Sequence, residues 1–205
     1  MAAGRVVKEA EVRRTEIVAA ATKLFATKGY EKTTVGDILR SVQIAKGGFY
    51  HHFASKADVF AACVDILTTR LMAHYIELLR DEKRTPAERV RAYVRVGYTH
   101  GELADLSRLV DELHAHGGNE LHAQVLDRVQ EQIIPVFAQA IAAGRDEGMY
   151  SFEGAPRVVA VAVLGMLRAL HERYAHEPDS AELVPYGLTI AIVERALGIV
   201  EGNEQ

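Results

Sequence analysis

The stretch TTVGDILRSVQIAKGGFYHHFASK, from Thr33 to Lys56, decides the reading of this chain. It reads as two short helices joined by a tight turn and followed at once by the cap of a third. Thr34 caps the first of them, with Asp37 three residues on as a reciprocal partner. Val35, Ile38, Leu39 and Val42 supply its apolar contacts. Gln43 and Ile44 make the turn. Ala45 to Phe53 form the next helix, which carries Lys46, Tyr50, His51 and His52 beside the side-chain-free Gly47 and Gly48. A short helix that is both narrow and rich in hydrogen-bond donors suits insertion into the major groove of DNA. Phe49 and Phe53 read as core.

Upstream, Ile17, Ala20, Ala21, Leu24 and Phe25 recur at three- and four-residue spacing, which predicts a helix from about Glu11 to Lys28, stopped by Gly29. Downstream, Ser55 with Asp58 caps a fourth helix reaching about Leu79, a rod of roughly 36 Å. Pro86 suits a first helical turn and opens a helix to around His100. A shorter one covers Leu103 to Leu113, and the run HAHGGN, His114 to Asn119, breaks the chain. A long helix follows from Glu120 to about Ala143, with a kink expected at Pro135. Two last helices, about Ala155 to Ala175 and Leu183 to Ile199, are apolar on more than one face and are expected to pair with a second copy of the chain. No alternating strand pattern and no internal repeat appears. The fold class is all-α: an N-terminal three-helix helix-turn-helix domain over residues 1–58 and a C-terminal helical domain for ligand binding and dimerisation over residues 59–205.

Composition narrows the setting. The apolar fraction of 49% and charged fraction of 25% are those of an ordinary globular protein. Most apolar stretches are interrupted by Arg, Glu or His, so no membrane span is expected, and MAAGRVVKEAEVRR has no apolar core of a secretory signal. The single cysteine, Cys63, excludes an internal disulfide and fits a reducing cytoplasm, where a buried apolar role is expected for it. The net charge of −4 hides an asymmetry: up to Asp58 there are 10 Lys and Arg against 6 Asp and Glu, and beyond it 14 against 22. A basic front on an acidic body indicates that only the front meets a polyanion.

Residues Glu11 to Phe60 resemble the DNA-binding domain of TetR-family transcriptional regulators. The resemblance rests on Ile17, Ala20, Leu24, Phe25, Gly29–Tyr30, Thr33–Thr34, Val35, Asp37–Ile38, Lys46–Gly47, Tyr50, His52–Phe53 and Ser55–Lys56. It implies an all-helical homodimer whose heads read a double-stranded operator and whose bodies hold a small-molecule effector. Ligand binding would move the fourth helix, separate the heads and release DNA, making the protein a repressor. Carried over by motif position, Thr33, Thr34, Lys46, Gly47, Tyr50, His51 and Lys56 would contact DNA. The backbone at Thr33–Thr34, the Tyr50 hydroxyl and Lys56 would meet phosphates, while Lys46 and His51 would reach base edges. Three positions depart from the family pattern: Gln43 stands where Gly is usual, Ala45 where Ser is usual, and Gly48 where Thr or Ser is usual. A lost serine cap costs roughly 0.5–2 kcal/mol and an interior glycine about 1 kcal/mol, so operator preference does not carry over from relatives.

For the effector pocket the sequence offers Tyr75, Tyr93, Tyr98, Leu113, His114, Phe137, Met166 and His171, which mix apolar surface with a few polar groups. Two other functions compete. His114, His116, His122, His100 and Cys63 could serve a metal-responsive regulator, although a two-residue His spacing does not share one helix face. Asp111, His114 or His171 could serve an all-helical enzyme, but there is no nucleophile motif, phosphate loop or cofactor fingerprint. Neither catalysis, a bound metal nor a cofactor is expected.

Overall fold

The computed structural model describes residues 2–98, 119–174 and 180–199. Within them the chain forms α1 (Ala2–Lys28), α2 (Val35–Val42), α3 (Lys46–Tyr50), α4 (Lys56–Arg80), α5 (Pro86–Val96), α6 (Asn119–Asp146), α7 (Pro156–Tyr174), α8 (Ser180–Leu183) and α9 (Tyr186–Leu197). The described residues contain no strand. A lone antiparallel bridge joins Tyr150 to Ile199. The all-α expectation is met.

Several boundaries follow the local chemistry. α1 ends at Lys28 because Gly29 takes φ 82, and Gly29 N–H still donates to Phe25 O. α2 opens on the reciprocal Thr34–Asp37 box that the sequence indicates. It closes at Gln43, whose φ of 55 is left-handed, a conformation glycine adopts at less cost. α5 opens on a second box, Thr85 with Glu88, behind Pro86. Other boundaries moved. α1 begins at Ala2 rather than Glu11, because the sequence reading followed the buried stripe, which starts only at Ile17. α3 stops at Tyr50, although single helical turns continue, with His51 N–H donating to Gly47 O and Phe53 N–H to Phe49 O. Pro135 lies on an exposed position inside α6, and the helix is assigned without interruption on both sides of it.

The chain packs as two compact units, divided within α4 between Thr69 and Arg70. In the first, Ile17, Val18, Ala21 and Phe25 of α1 meet Ile38, Phe49, Phe53, Val59 and Phe60 in one buried core. Phe25, Tyr30 and Phe60 stack mutually at 4.8–5.5 Å, the separations favourable for aromatic pairs. Cys63 is fully buried, its Sγ 3.6 Å from Val18 O, and burial raises the thiol to about 11, which suppresses the reactive thiolate. In the second unit, α5, α6, α7 and α9 enclose a core that includes Val90, Val94, Ile133, Phe137, Ile141, Ala160, Leu164 and Val193. α4 alone among the described helices is long and apolar enough to cross a bilayer. Its Val59, Phe60, Met72 and Leu79 are buried in protein.

A polar seam joins α5 to α9. Arg91 Nε donates to Glu194 Oε1 at 2.6 Å, Tyr98 and Thr189 share a hydroxyl hydrogen bond, and Tyr186 Oη donates to Arg91 O at 3.3 Å. Arg95 lies 5.0 Å over the Tyr186 ring. On their open sides α7 presents Val158, Val161, Ala162, Gly165 and Ala169, one helical stripe, and α9 presents Gly187, Leu188 and Ala191. Val158 is 67% exposed and Leu188 48%, so neither belongs to the core.

Tyr150 is buried against the α6–α7 turn with no hydrogen-bond partner for its hydroxyl, and desolvation raises its ionisation well above the usual tyrosine range. An orphaned buried hydroxyl costs about 1–3 kcal/mol. Tyr150→Phe is therefore expected to leave stability unchanged or raise it by about 1 kcal/mol. Urea denaturation reads this directly, and a loss above that size would show that the hydroxyl is bonded in solution.

Candidate nucleic-acid interface

α3 is aimed by its apolar residues. Phe49 is 0% exposed and sits 5.9 Å from Phe53, also buried, so the inward face of the helix is fixed. The outward face then carries Lys46, Gly47, Gly48, Tyr50 and His51, all exposed. Lys46 Nζ lies 5.8 Å over the Tyr50 ring, a cation–π contact that holds both tips on one side. His51 and His52 meet edge to face at 5.0 Å. His52 is half-buried, and desolvation, then the charges of His51 and Arg14, push its imidazole below the usual value. Arg14, which no motif singles out, lies 5.2 Å over the Phe53 ring. Its signal was present in the sequence as a charge next to the stripe of α1, but no spacing rule links it to α3.

The α1–α2 corner is built around one carboxylate. Asp37 accepts from Lys28 Nζ at 2.6 Å, from Thr34 N–H at 3.0 Å and from Thr34 Oγ1 at 2.9 Å, and pairs with Arg40. The Lys28 hydrogen bond, followed by those of Thr34, holds its carboxyl far below the usual carboxylate range. Thr33 is fully buried, with Oγ1 donating to Gly29 O at 2.7 Å and N–H to Tyr30 O at 3.2 Å. Thr34 is exposed but caps α2. Lys56 is half-buried: its Nζ donates to Tyr30 O at 2.9 Å and lies 4.0 Å over the Tyr30 ring, so it braces α4 against the α1–α2 turn. Of the residues singled out in the sequence, Lys46, Gly47, Tyr50 and His51 share one exposed face, whereas Thr33, Thr34 and Lys56 are engaged within the head.

The effector candidates divide as well. Tyr75 and Tyr93 stack at 4.6 Å, and Tyr93 meets Phe137 at 5.4 Å. Desolvation raises Tyr75 to about 12 and Tyr93 further in the same direction, so both phenols stay protonated and able to donate. No hydrogen bond from either hydroxyl occurs among the described residues. Met166 packs half-buried against the same core, Tyr98 is drawn into the α5–α9 seam, and His171 is exposed. Leu113 and His114 lie outside the described residues, as do His100 and His116 of the metal alternative. Among the described residues no group of three metal-ligating side chains converges. A separate open cleft of about 240 Å³ lies between the α4 end and α6, lined by Leu79, Arg80, Glu82, Arg89, Val136, Gln139 and Ala140. No motif or spacing in the chain points to it.

Comparison with known proteins agrees with this geometry. Residues 17–63 match the family described as bacterial regulatory proteins, tetR family. The chain is 26% identical to the nucleoid occlusion factor SlmA of Vibrio campbellii over 79% of this chain and 83% of that protein. It is 34% identical to the HTH-type transcriptional repressor KstR2 of Mycobacterium tuberculosis, over 42% of this chain and 43% of the repressor. In structure it resembles a TetR-family transcriptional regulator of Pectobacterium atrosepticum, with a TM-score of 0.73, 20% identity and coverage of 96% and 98% of the two chains. The SmeT–triclosan complex superposes with a TM-score of 0.69 at 20% identity, covering 93% of each chain. The exposed face of α3 lies within residues 17–63, the segment that matches the tetR family of bacterial regulatory proteins, and the chain as a whole is similar in fold to TetR-family transcriptional regulators.

Proposed function

We propose that the protein is a homodimeric cytoplasmic repressor that leaves a palindromic operator when a small, largely apolar molecule binds beside Tyr75, Tyr93 and Phe137. The observation that carries the sensing half is the convergence of Tyr75, Tyr93 and Phe137, half-buried phenols beside an apolar ring that could donate to a ligand with an acceptor group. The dimer is supported by the exposed stripes of α7 and α9, whose small residues permit close approach and whose twofold pairing would present two copies of α3. Thr33, Thr34 and Lys56 would set the register of the head, and Lys46, Tyr50 and His51 would reach the duplex. The relatives named as regulators, the repressor KstR2 among them, favour neither metal sensing nor catalysis.

Coupling requires the effector to prefer one conformation of the dimer, because equal affinity for both shifts nothing. A coupling of about 1–3 kcal/mol changes operator affinity about 5- to 150-fold, and DNA must weaken effector binding by the same factor. The test begins with a thermal-shift screen of small aromatic compounds, triclosan included because SmeT binds it. Calorimetry of a hit follows, with and without a duplex selected from a random library. Equal affinities in the two titrations would remove the sensor from this body and leave a regulator that reads DNA alone.

A further inference from the structure

Gly47 and Gly48 sit side by side in α3, where a glycine weakens a helix relative to alanine. The fold of the head does not require either one. Positive φ among the described glycines occurs only at Gly29, Gly148, Gly154 and Gly198. A Cβ on Gly47 would meet nothing within 4 Å, and one on Gly48 would meet Ile44 Cβ at 3.8 Å and Cδ1 at 3.9 Å, ordinary contacts. Gly144 shows the opposite case, with a Cβ falling 2.5 Å from the Tyr150 ring. Nor is the loss offset at the helix start, where Ala45 supplies no side-chain cap.

Two weakening residues that the chain itself does not need call for a cause outside the chain. They lie on the exposed face, between the Lys46–Tyr50 pair and His51. The helix they weaken is nevertheless held, by Phe49 in the core and by the bond from Gly48 N–H to Ala45 O at 2.9 Å. This favours close approach over a need for local disorder.

We propose that Gly47 and Gly48 are specificity determinants for the operator. Without Cβ atoms they leave a strip of bare backbone, and a base-pair edge in the major groove seats against it at a separation that a methyl group would block. The contact discriminates by fit. Glycine offers no side-chain donor, so the preference falls on which edge, the thymine methyl above all, projects into the space. This rests on the DNA-binding reading of α3.

The test uses the full-length chain and a duplex selected by it from a randomised library. Gly47→Ala and Gly48→Ala are each expected to raise the melting temperature of the free protein by a few °C. Each is also expected to weaken binding to the selected duplex by about tenfold, more than on an unrelated duplex, and to reselect a different preference beneath α3. Higher stability with equal or tighter binding would overturn the proposal and assign the glycines to helix disorder. Lower stability would overturn it by showing that the fold needs them. If the wild-type chain selected no duplex at all, the DNA-binding reading itself would fall, and that result is distinct from either of the others.

Discussion

Phe49→Ala is expected to cost about 3–5 kcal/mol, the usual penalty for emptying a buried phenylalanine site, and to abolish operator binding. The ring is fully buried, 5.3 Å from Tyr50 and 5.9 Å from Phe53, in a helix of only five residues. A helix that short has almost no stability of its own. Its position depends on that inward ring and on Phe53. Lys46, Tyr50 and His51 surround it on the outside, so a misplaced α3 misplaces the whole DNA-facing set. Domains of this size are stable by about 5–15 kcal/mol in all, so the loss removes a large fraction of the margin. Urea denaturation gives the stability and fluorescence anisotropy with a labelled duplex gives the binding. A variant that lost under about 1 kcal/mol would show that the site collapses around the smaller side chain.

Gly144→Ala is the second large effect, about 1–3 kcal/mol. The added carbon would lie 2.5 Å from two atoms of the Tyr150 ring and 3.2 Å from Pro86 Cβ. Tyr150 is buried and tied by its chain to the bridge with Ile199, so its ring has little room to retreat. The clash is specific, and a double-mutant cycle isolates it. Adding Tyr150→Leu to Gly144→Ala should recover much of the loss, because the second change removes the atoms the first one meets. Strictly additive costs in thermal melts would mean that the contact with Pro86 Cβ, and not the Tyr150 ring, governs the site.

The head was legible in the sequence because its determinants are local. The Thr34–Asp37 box spans three residues, Gly29 ends α1 beside the helix it stops, and Phe49 and Phe53 are four residues apart on the inward side. Rules of spacing reach that far. They do not reach the α5–α9 seam, where Arg91 and Glu194 stand 103 residues apart in the chain. For the same reason the hydroxyl pairing of Tyr98 with Thr189 was not legible. Lys56 read as a phosphate contact, and its bond to Tyr30 O across 26 residues was out of reach, as was the full burial of Thr33, which read as a backbone contact. The aromatic group of Tyr75, Tyr93 and Phe137 was legible only as a set of types. Their convergence is a property of how α4, α5 and α6 pack.

The same seam bears on how two copies would meet. α9 is bound to α5 within its own subunit by a charge-assisted hydrogen bond, a hydroxyl pair and a stacked arginine, through Glu194, Thr189 and Tyr186 and not through the exposed Gly187, Leu188 and Ala191. Its outer surface is thus in shape before any encounter. Association of such surfaces is docking of rigid parts and does not have to order a helix at the moment of contact. Pairing of two copies would follow their concentration, and the abundance of the protein in the cell would then help to set how many operators are occupied.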